Sequence, residues 1–329
     1  MKLAFWRGLR VLVTGGSGFV GSHVVELLVG HGARVTVTSR QDHPESLRAV
    51  RSEVDLRRGD LEDPDFCRRS ARGQEVVLCL AGHVGGVEYN RTRHATLFVR
   101  NMRPFLNVLE AAHAEGAGRL LVTSSACVYP RDCTFPIAER EGLVGQPETT
   151  NAGYGWAKRM QEYVGAEFMR EHGLPVAIAR PFNAYGPRDD FRPERSHVIP
   201  ALIRRTLEGE NPLVVWGSGR QTRAFVYVKD FAEGLLRIAE KHPAGEPVNL
   251  GSREEISIQS LVESIVRLSG TGCQVVFDAS RPEGQPRRSC DTTRMREVLG
   301  EWEPPTPLEQ GLRETIAWYR ETAAGTRRS

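Results

Sequence analysis

The chain has 329 residues, 40% hydrophobic and 26% charged, with 44 basic and 41 acidic side chains for a formal net charge of +3. This size admits one large domain or two ordinary ones, with the composition of an ordinary globular protein. The basic residues, only four of them lysine, are dispersed along the chain, which argues against a nucleic-acid partner, and no apolar run reaches the roughly 20 residues of a membrane helix.

The N-terminal stretch "MKLAFWRGLRVLVTGG" runs straight into a strand pattern, leaving no room for a signal peptide, so the chain reads as cytosolic. Six cysteines (67, 79, 127, 133, 273 and 290) contain no C-x-x-C pair and read as reduced thiols. No His/Cys/carboxylate grouping has metal-ligand spacing, so no metal is expected.

Continuous β-branched runs at 10–14, 34–38, 54–58, 75–81, 119–125 and 175–180 predict strands buried on both faces. Helical patterns at 19–30, 63–71, about 95–115 and 154–172 lie between them. This alternation predicts an α/β fold, a Rossmann-type doubly wound parallel sheet. After Pro181 the pattern changes: a short helix at 199–209, two strands around the Gly-rich turn of "PLVVWGSGRQTRAFVYV", helices at 230–241 and 257–270, a strand in "CQVVFDA" and a last helix within 307–323. The expected organisation is a dinucleotide domain of 1–181 plus about 227–252, and a smaller α/β substrate domain of 182–226 and 253–329.

"VTGGSGFVG" sets Gly15, Gly18 and Gly21 between the first strand and the first helix. Glycines there allow a tight turn and close approach of a pyrophosphate to backbone N–H groups, and the helix N-terminus at Phe19 and Val20 favours negative charge. The end of the second strand carries Ser39 and Arg40 where an NAD-binding carboxylate would stand. A serine and a guanidinium suit a 2′-phosphate, so NADP(H) is expected over NAD(H). Asp60 and Leu61 after the third strand, and Leu80, Ala81 and Gly82 after the fourth, are expected to line the cofactor.

"YGWAK" places Tyr154 and Lys158 four apart on a helix, hence on one face. An ammonium beside a phenol is expected to lower the tyrosine pKa and make it a proton donor during hydride transfer. Ser125, at the end of the fifth strand, is placed to hold the same substrate oxygen.

With these residues the chain resembles the extended, sugar-nucleotide-modifying branch of the short-chain dehydrogenase/reductase superfamily. "VGGVEYN", "SSACVYP", "TTNAGYGWAKRM", "PFNAYGPRDDF", "SHVIPALIRR", "VVWGSG" and "VVFDASRPEGQPRR" are similar to the motif series of the GDP-L-fucose synthase family, from residue 10 to about 320. The resemblance implies 3,5-epimerisation and then 4-keto reduction of GDP-4-keto-6-deoxymannose or a close analogue. It implies Cys127 and His197 as the epimerisation acid and base, and Pro181 beside the cofactor. It also implies Asn183, Arg205, Trp216, Arg223 and Arg281 as contacts to a nucleotide-diphosphate sugar, GDP-linked, and a homodimer formed by the two long helices. A thiol and an imidazole both exchange protons near neutral pH, as inversion at carbons flanking a ketone requires. Ala126 departs from the second serine that fucose synthases often carry. "SSAC" and "QTR" also resemble GDP-mannose 3,5-epimerase, against which Ser39–Arg40 and His197 argue. A single-function 4-ketoreductase or epimerase, and a non-catalytic NADP(H)-sensing module, remain the alternatives.

Overall fold

A computed structural model of the chain describes residues 3–281 and 285–326. The strands are β1 (Arg10–Thr14), β2 (Arg34–Ser39), β3 (Val54–Arg58), β4 (Val76–Cys79), β5 (Arg119–Thr123), β6 (Val176–Pro181), β7 (Ala184–Tyr185), β8 (Leu213–Trp216), β9 (Thr222–Ala224), β10 (Val226–Tyr227), β11 (Pro247–Leu250), β12 (Glu255–Ser257), β13 (Val275–Asp278) and β14 (Arg287–Arg288). The helices are α1 (Phe19–Gly30), α2 (Pro64–Ala71), α3 (Val87–Thr92), α4 (His94–Ala114), α5 (Ala152–His172), α6 (Val198–Leu207), α7 (Val228–Lys241), α8 (Ile258–Ser269), α9 (Thr293–Leu299) and α10 (Leu308–Thr326).

Among the described residues, seven strands form one sheet in the order β11-β6-β5-β4-β1-β2-β3, every pair parallel. The alternation of strand and helix predicted this sheet, and its strand runs are buried on both faces as their apolar character requires, except β3: at the sheet edge, it is buried only at Val54, with Asp55 and Arg58 exposed. One face is covered by α1 and α7, with Val24, Val25, Leu28, Phe231 and Leu235 packed on Val11, Val13 and Val35. The other is covered by α2, α4 and α5, with Phe105, Val108 and Leu109 on Leu12, Val77 and Leu120. Each such fully buried side chain contributes about 1.5–3 kcal/mol. Local signals set the ends: Asp63 caps α2 by accepting from Asp65 N, and Gly173, at φ +71°, closes α5.

A third core joins α6, α8 and α10 through Ile199, Leu202, Leu261, Ile265, Leu312 and Ile316. The strands expected around the Gly-rich turn do not pair with each other. β8 runs parallel to β13, while β9 lies between β12 and β14. Gly217 and Gly219, at φ +87° and +75°, turn the chain away between them. The expected single strand "TRAFVYV" is two short ones, β10 having moved over to β7. Sequence reading had not singled out β11, whose "PVNL" is too short to show a period.

Candidate active site

The strand order reverses direction between β1 and β4, where a crevice opens beyond the carboxyl ends of a doubly wound sheet. The glycine loop occupies this point. Gly15 has φ +69°, and a Cβ there would lie 2.7 Å from the Ala81 backbone. A Cβ on Gly21 would lie 2.1 Å from the Gly15 carbonyl oxygen. Gly18 precedes Phe19 and Val20 with no side-chain cap on α1, so the first-turn N–H groups face outward for an anion. This cradle fits a dinucleotide pyrophosphate.

Leu80 N and Ala81 N reach Thr14 O and Thr14 Oγ1 at 3.2 and 3.4 Å, which brings the β1 and β4 loops together; Gly82 follows, exposed. Ser39 is buried, its Oγ accepting from Gln41 N at 3.0 Å and from Ser17 at 3.3 Å, and Arg40 is exposed beside it. The β2–β3 register adds an arginine that sequence reading passed over: Arg58 stands opposite Ser39 and pairs with Asp42 at 2.9 Å. Asp60 is turned into its own loop, accepting from Glu62 N at 3.0 Å. Leu61 lines a small cavity with Thr14, Cys79, Ala81 and Gln161. Pro181, opposite Leu250, ends β6 at the same edge.

The β5 end and the α5 N-terminus assemble the second part of the site. Ser125 Oγ accepts from Cys127 N at 3.1 Å and partners the Tyr154 hydroxyl. A Cβ on Gly155 would lie 2.4 Å from Cys127 O, so α5 rests directly on the cysteine loop. Lys158 Nζ donates to Thr123 O at 2.8 Å and Gln161 Oε1 at 2.9 Å, and stands 5.6 Å from the Tyr154 ring centre. Ser125, Cys127, Tyr154 and Lys158 are thus brought together. Burial lowers the Lys158 pKa to about 8. The expected lowering of the Tyr154 pKa is not what the structure gives. Burial raises it, outweighing the opposite pull of Ser125, so the group stands as a protonated phenol.

Below this group lies a buried ionic knot. Arg180 Nε and Nη2 donate to Glu162 at 2.8 and 2.6 Å, Ser124 donates to the same carboxylate, and Arg180 Nη1 reaches Tyr129 Oη at 3.1 Å. It fixes the β5 end against α5. The cysteines differ sharply in setting. Burial pushes the thiols of Cys67 and Cys79 up to about 12, whereas Cys127 is half-buried and receives a donation from Arg288 Nη2 at 3.9 Å. Arg288 was missed because "PRR" marks no site by itself; only the β14–β9 register, which sets it opposite Arg223, shows where it stands.

His197 immediately precedes α6 and is 69% exposed, its Nδ1 3.9 Å from Asp189 Oδ1. Asp189 raises its pKa. The loop carrying it meets the β4 loop, where Gly86 lies against Glu194 O and Arg195 donates to Val84 O at 3.3 Å. Of the expected sugar-nucleotide contacts, Trp216 is 59% exposed, with the Arg281 guanidinium 5.4 Å from its ring centre. Arg223 donates to Thr222 O at 2.7 Å. Asn183 Nδ2 is used on Ala224 O at 2.9 Å. Arg205 does not stand clear for a diphosphate: it clasps Glu210 and donates to Val214 O at 2.6 Å, a local tie between α6 and β8. Among the described residues no three His, Cys, Asp or Glu side chains could hold a metal, and no helix is long and apolar enough to cross a membrane.

A rice protein named probable GDP-L-fucose synthase 1 (Oryza sativa subsp. japonica) is 34% identical over 98% of this chain and 95% of its own length. A Streptomyces dTDP-4-dehydro-6-deoxy-D-allose reductase is also 34% identical, over 96% and 97%. A crystal structure of a GDP-L-fucose synthetase from Naegleria fowleri bound to NADP superposes with a TM-score of 0.81 at 26% identity, covering 97% of this chain and 96% of that one. Both named curated relatives process nucleotide sugars, and this chain is an SDR-type enzyme of that kind, a nucleotide-sugar epimerase/reductase dependent on a nicotinamide nucleotide. The model of the NAD dependent epimerase/dehydratase family matches residues 11–251, from the glycine loop through the tyrosine helix to the end of β11, and this chain belongs to that family.

Proposed function

We propose that the enzyme inverts C3 and C5 of GDP-4-keto-6-deoxymannose, or a close analogue, and then reduces C4. The observation that carries this reading is the group at the β5 end: a half-buried thiol with a guanidinium donor, beside a protonated phenol and its lysine. Full-length likeness to fucose synthases supports it. Ser39, Arg40 and Arg58 favour the 2′-phosphate of NADP(H), in keeping with the Naegleria structure. With its pyrophosphate held by the glycine cradle, a reduced nicotinamide nucleotide would supply a hydride for C4.

The residues of this chain perform the proton chemistry. The 4-keto group acidifies the C3 and C5 hydrogens. Cys127 in its thiolate form, with Arg288 donating to the sulfur, takes the proton from one face, becoming the thiol and leaving an enolate. His197, whose proton affinity the Asp189 carboxylate raises, returns a proton to the opposite face. Both groups exchange with solvent between rounds. When C4 becomes an alkoxide, Tyr154 gives it a proton, with Ser125 orienting the oxygen and Lys158 stabilising the phenolate left behind. Arg223, Arg281 and Trp216 receive the diphosphate and base. In this reading residues 1–181 with about 227–252 hold the cofactor, 182–226 and 253–329 hold the sugar nucleotide, and two copies pair through α4 and α5.

A 4-ketoreductase acting on a dTDP-sugar is the second reading, favoured by the equally similar Streptomyces reductase. Incubation with NADPH in deuterated water separates them. The first reading expects NMR to show deuterium at C3 and C5 of the GDP-sugar and hydride at C4; reduction with no deuterium at either carbon overturns it.

A further inference from the structure

Resting on the epimerase reading of His197, we propose that Asp189 is the positioning residue of that histidine: it takes the Nδ1–H, so that Nε2 is the nitrogen presented to the sugar. Two neighbouring aspartates stand in the loop before α6, and their surroundings separate them. Asp190 is already bound, by Arg192 Nε and Nη2 at 2.8 and 2.5 Å and by Arg195 at 3.5 Å. Asp189 has no cation other than His197 within ion-pair distance among the described residues. Its side chain is 4% exposed. Its Oδ1 accepts from Asp190 N at 2.7 Å, while its Oδ2 is buried without a hydrogen-bond partner among the described residues. A buried carboxylate oxygen left unpaired is costly unless a donor comes to it. The donor at hand is the imidazole, whose Nδ1 stands 3.9 Å from the other oxygen of the same carboxylate, Oδ1, and such contacts tighten when an active site closes on its substrate.

The loop is built to hold Asp189 still. Arg188, in the left-handed region at φ +70°, reaches across to α1 and binds Glu26 through both terminal nitrogens, at 2.6 and 2.8 Å. Pro187 O meets His23 Nε2 at 2.9 Å. On the other side, Phe191 stacks on Tyr319 of α10 with ring centres 4.5 Å apart. The carboxylate between these anchors therefore has a fixed place. His197 is fixed by the start of α6, where its carbonyl accepts from Ala201 N at 3.0 Å. A carboxylate on Nδ1 sets the tautomer and favours the imidazolium. The charged groups acting on His197 are the carboxylates of Asp189 and Asp190, the second largely neutralised by Arg192 and Arg195. Asp189 is thereby the group whose removal changes the ring's proton affinity.

The test uses the full-length protein labelled with 15N-histidine, the His197 signals being those missing in His197→Gln. The wild type is expected to show the Nδ1–H tautomer, titrating above free imidazole. In Asp189→Asn the tautomer preference is lost and the titration moves to lower pH. Incorporation of deuterium into GDP-4-keto-6-deoxymannose slows by about 100-fold or more, and the high-pH limb of its pH profile moves down with the histidine. Asp189→Glu restores part of both. NADPH titration and thermal melting show that each variant is folded. An Nε2–H tautomer in the wild type, or a His197 titration and pH profile unchanged in Asp189→Asn, overturns the proposal. If the wild type incorporates no deuterium, the epimerase reading has failed, and the tautomer and titration alone decide whether Asp189 holds the ring.

Discussion

Replacing Gly21 with alanine tests the cofactor cradle at its tightest point. The added methyl would lie 2.1 Å from the Gly15 carbonyl oxygen and 2.8 Å from the Gly16 Cα. Non-bonded carbon contacts are comfortable at about 3.5 Å, so the loop must open by roughly 1.4 Å. A shift of that size takes the backbone N–H groups of the turn out of hydrogen-bond range of a phosphate. Hydrogen bonds to charged groups contribute about 1.5–3 kcal/mol each. Loss of two weakens binding by about 3–6 kcal/mol, roughly 10²- to 10⁴-fold. NADPH affinity, followed by quenching of protein fluorescence, should fall by that factor in Gly21→Ala. It should be unchanged in Gly30→Ala on the same helix, where a Cβ meets nothing within 4 Å. A folded Gly21→Ala protein binding NADPH within threefold of wild type would refute the reasoning.

Arg180→Met strips the buried Glu162, 6% exposed, of its guanidinium partner and leaves it the Ser124 hydroxyl, and should cost about 3–5 kcal/mol in urea denaturation; the double variant with Glu162→Leu should recover much of it, and a loss under about 1 kcal/mol would show the knot to be dispensable. Tyr154→Phe removes the proton donor and should slow 4-keto reduction by about 10²- to 10⁴-fold with NADPH affinity retained; an unchanged rate would assign the proton to another group. Val99, Trp156 and Tyr163 leave apolar surface on α4 and α5, at 43%, 37% and 58% exposure. Sedimentation at micromolar concentration should therefore show a dimer that Tyr163→Glu weakens, and a wild-type monomer would contradict the pairing.

The sheet was legible because five of its predicted strands, β1, β2, β4, β5 and β6, are buried on both faces and so read as apolar, β-branched runs, and because α1 begins at the glycine loop that its sequence marks. β11 was hidden by its four-residue length, and the β8–β13 pairing by 58 residues of intervening chain between Trp216 and Val275, a separation that no local pattern encodes. At the site, Tyr154 and Lys158 could be placed together because a helix fixes their spacing. The direction of the tyrosine's pKa could not, since burial rather than the lysine dominates it. Arg205, which the resemblance sets on the sugar nucleotide, is paired with Glu210, only five residues away, a partner that the motif did not show. Arg288 and Asp189 both lie inside motifs read from the sequence, but their places do not follow from those motifs: strand register sets Arg288 opposite Arg223, and a loop pinned at Glu26 and Tyr319 holds Asp189.

In the proposed mechanism a thiol and an imidazole work on opposite faces of one sugar ring next to the nicotinamide. A crystal structure with NADP and the bound GDP-sugar tests it most directly. Cys127 Sγ and His197 Nε2 should each lie within about 3.5 Å of the C3 or C5 centre, near-attack range, from opposite sides. A ring seated with either group out of reach, and no closed conformation that brings it in, would contradict it.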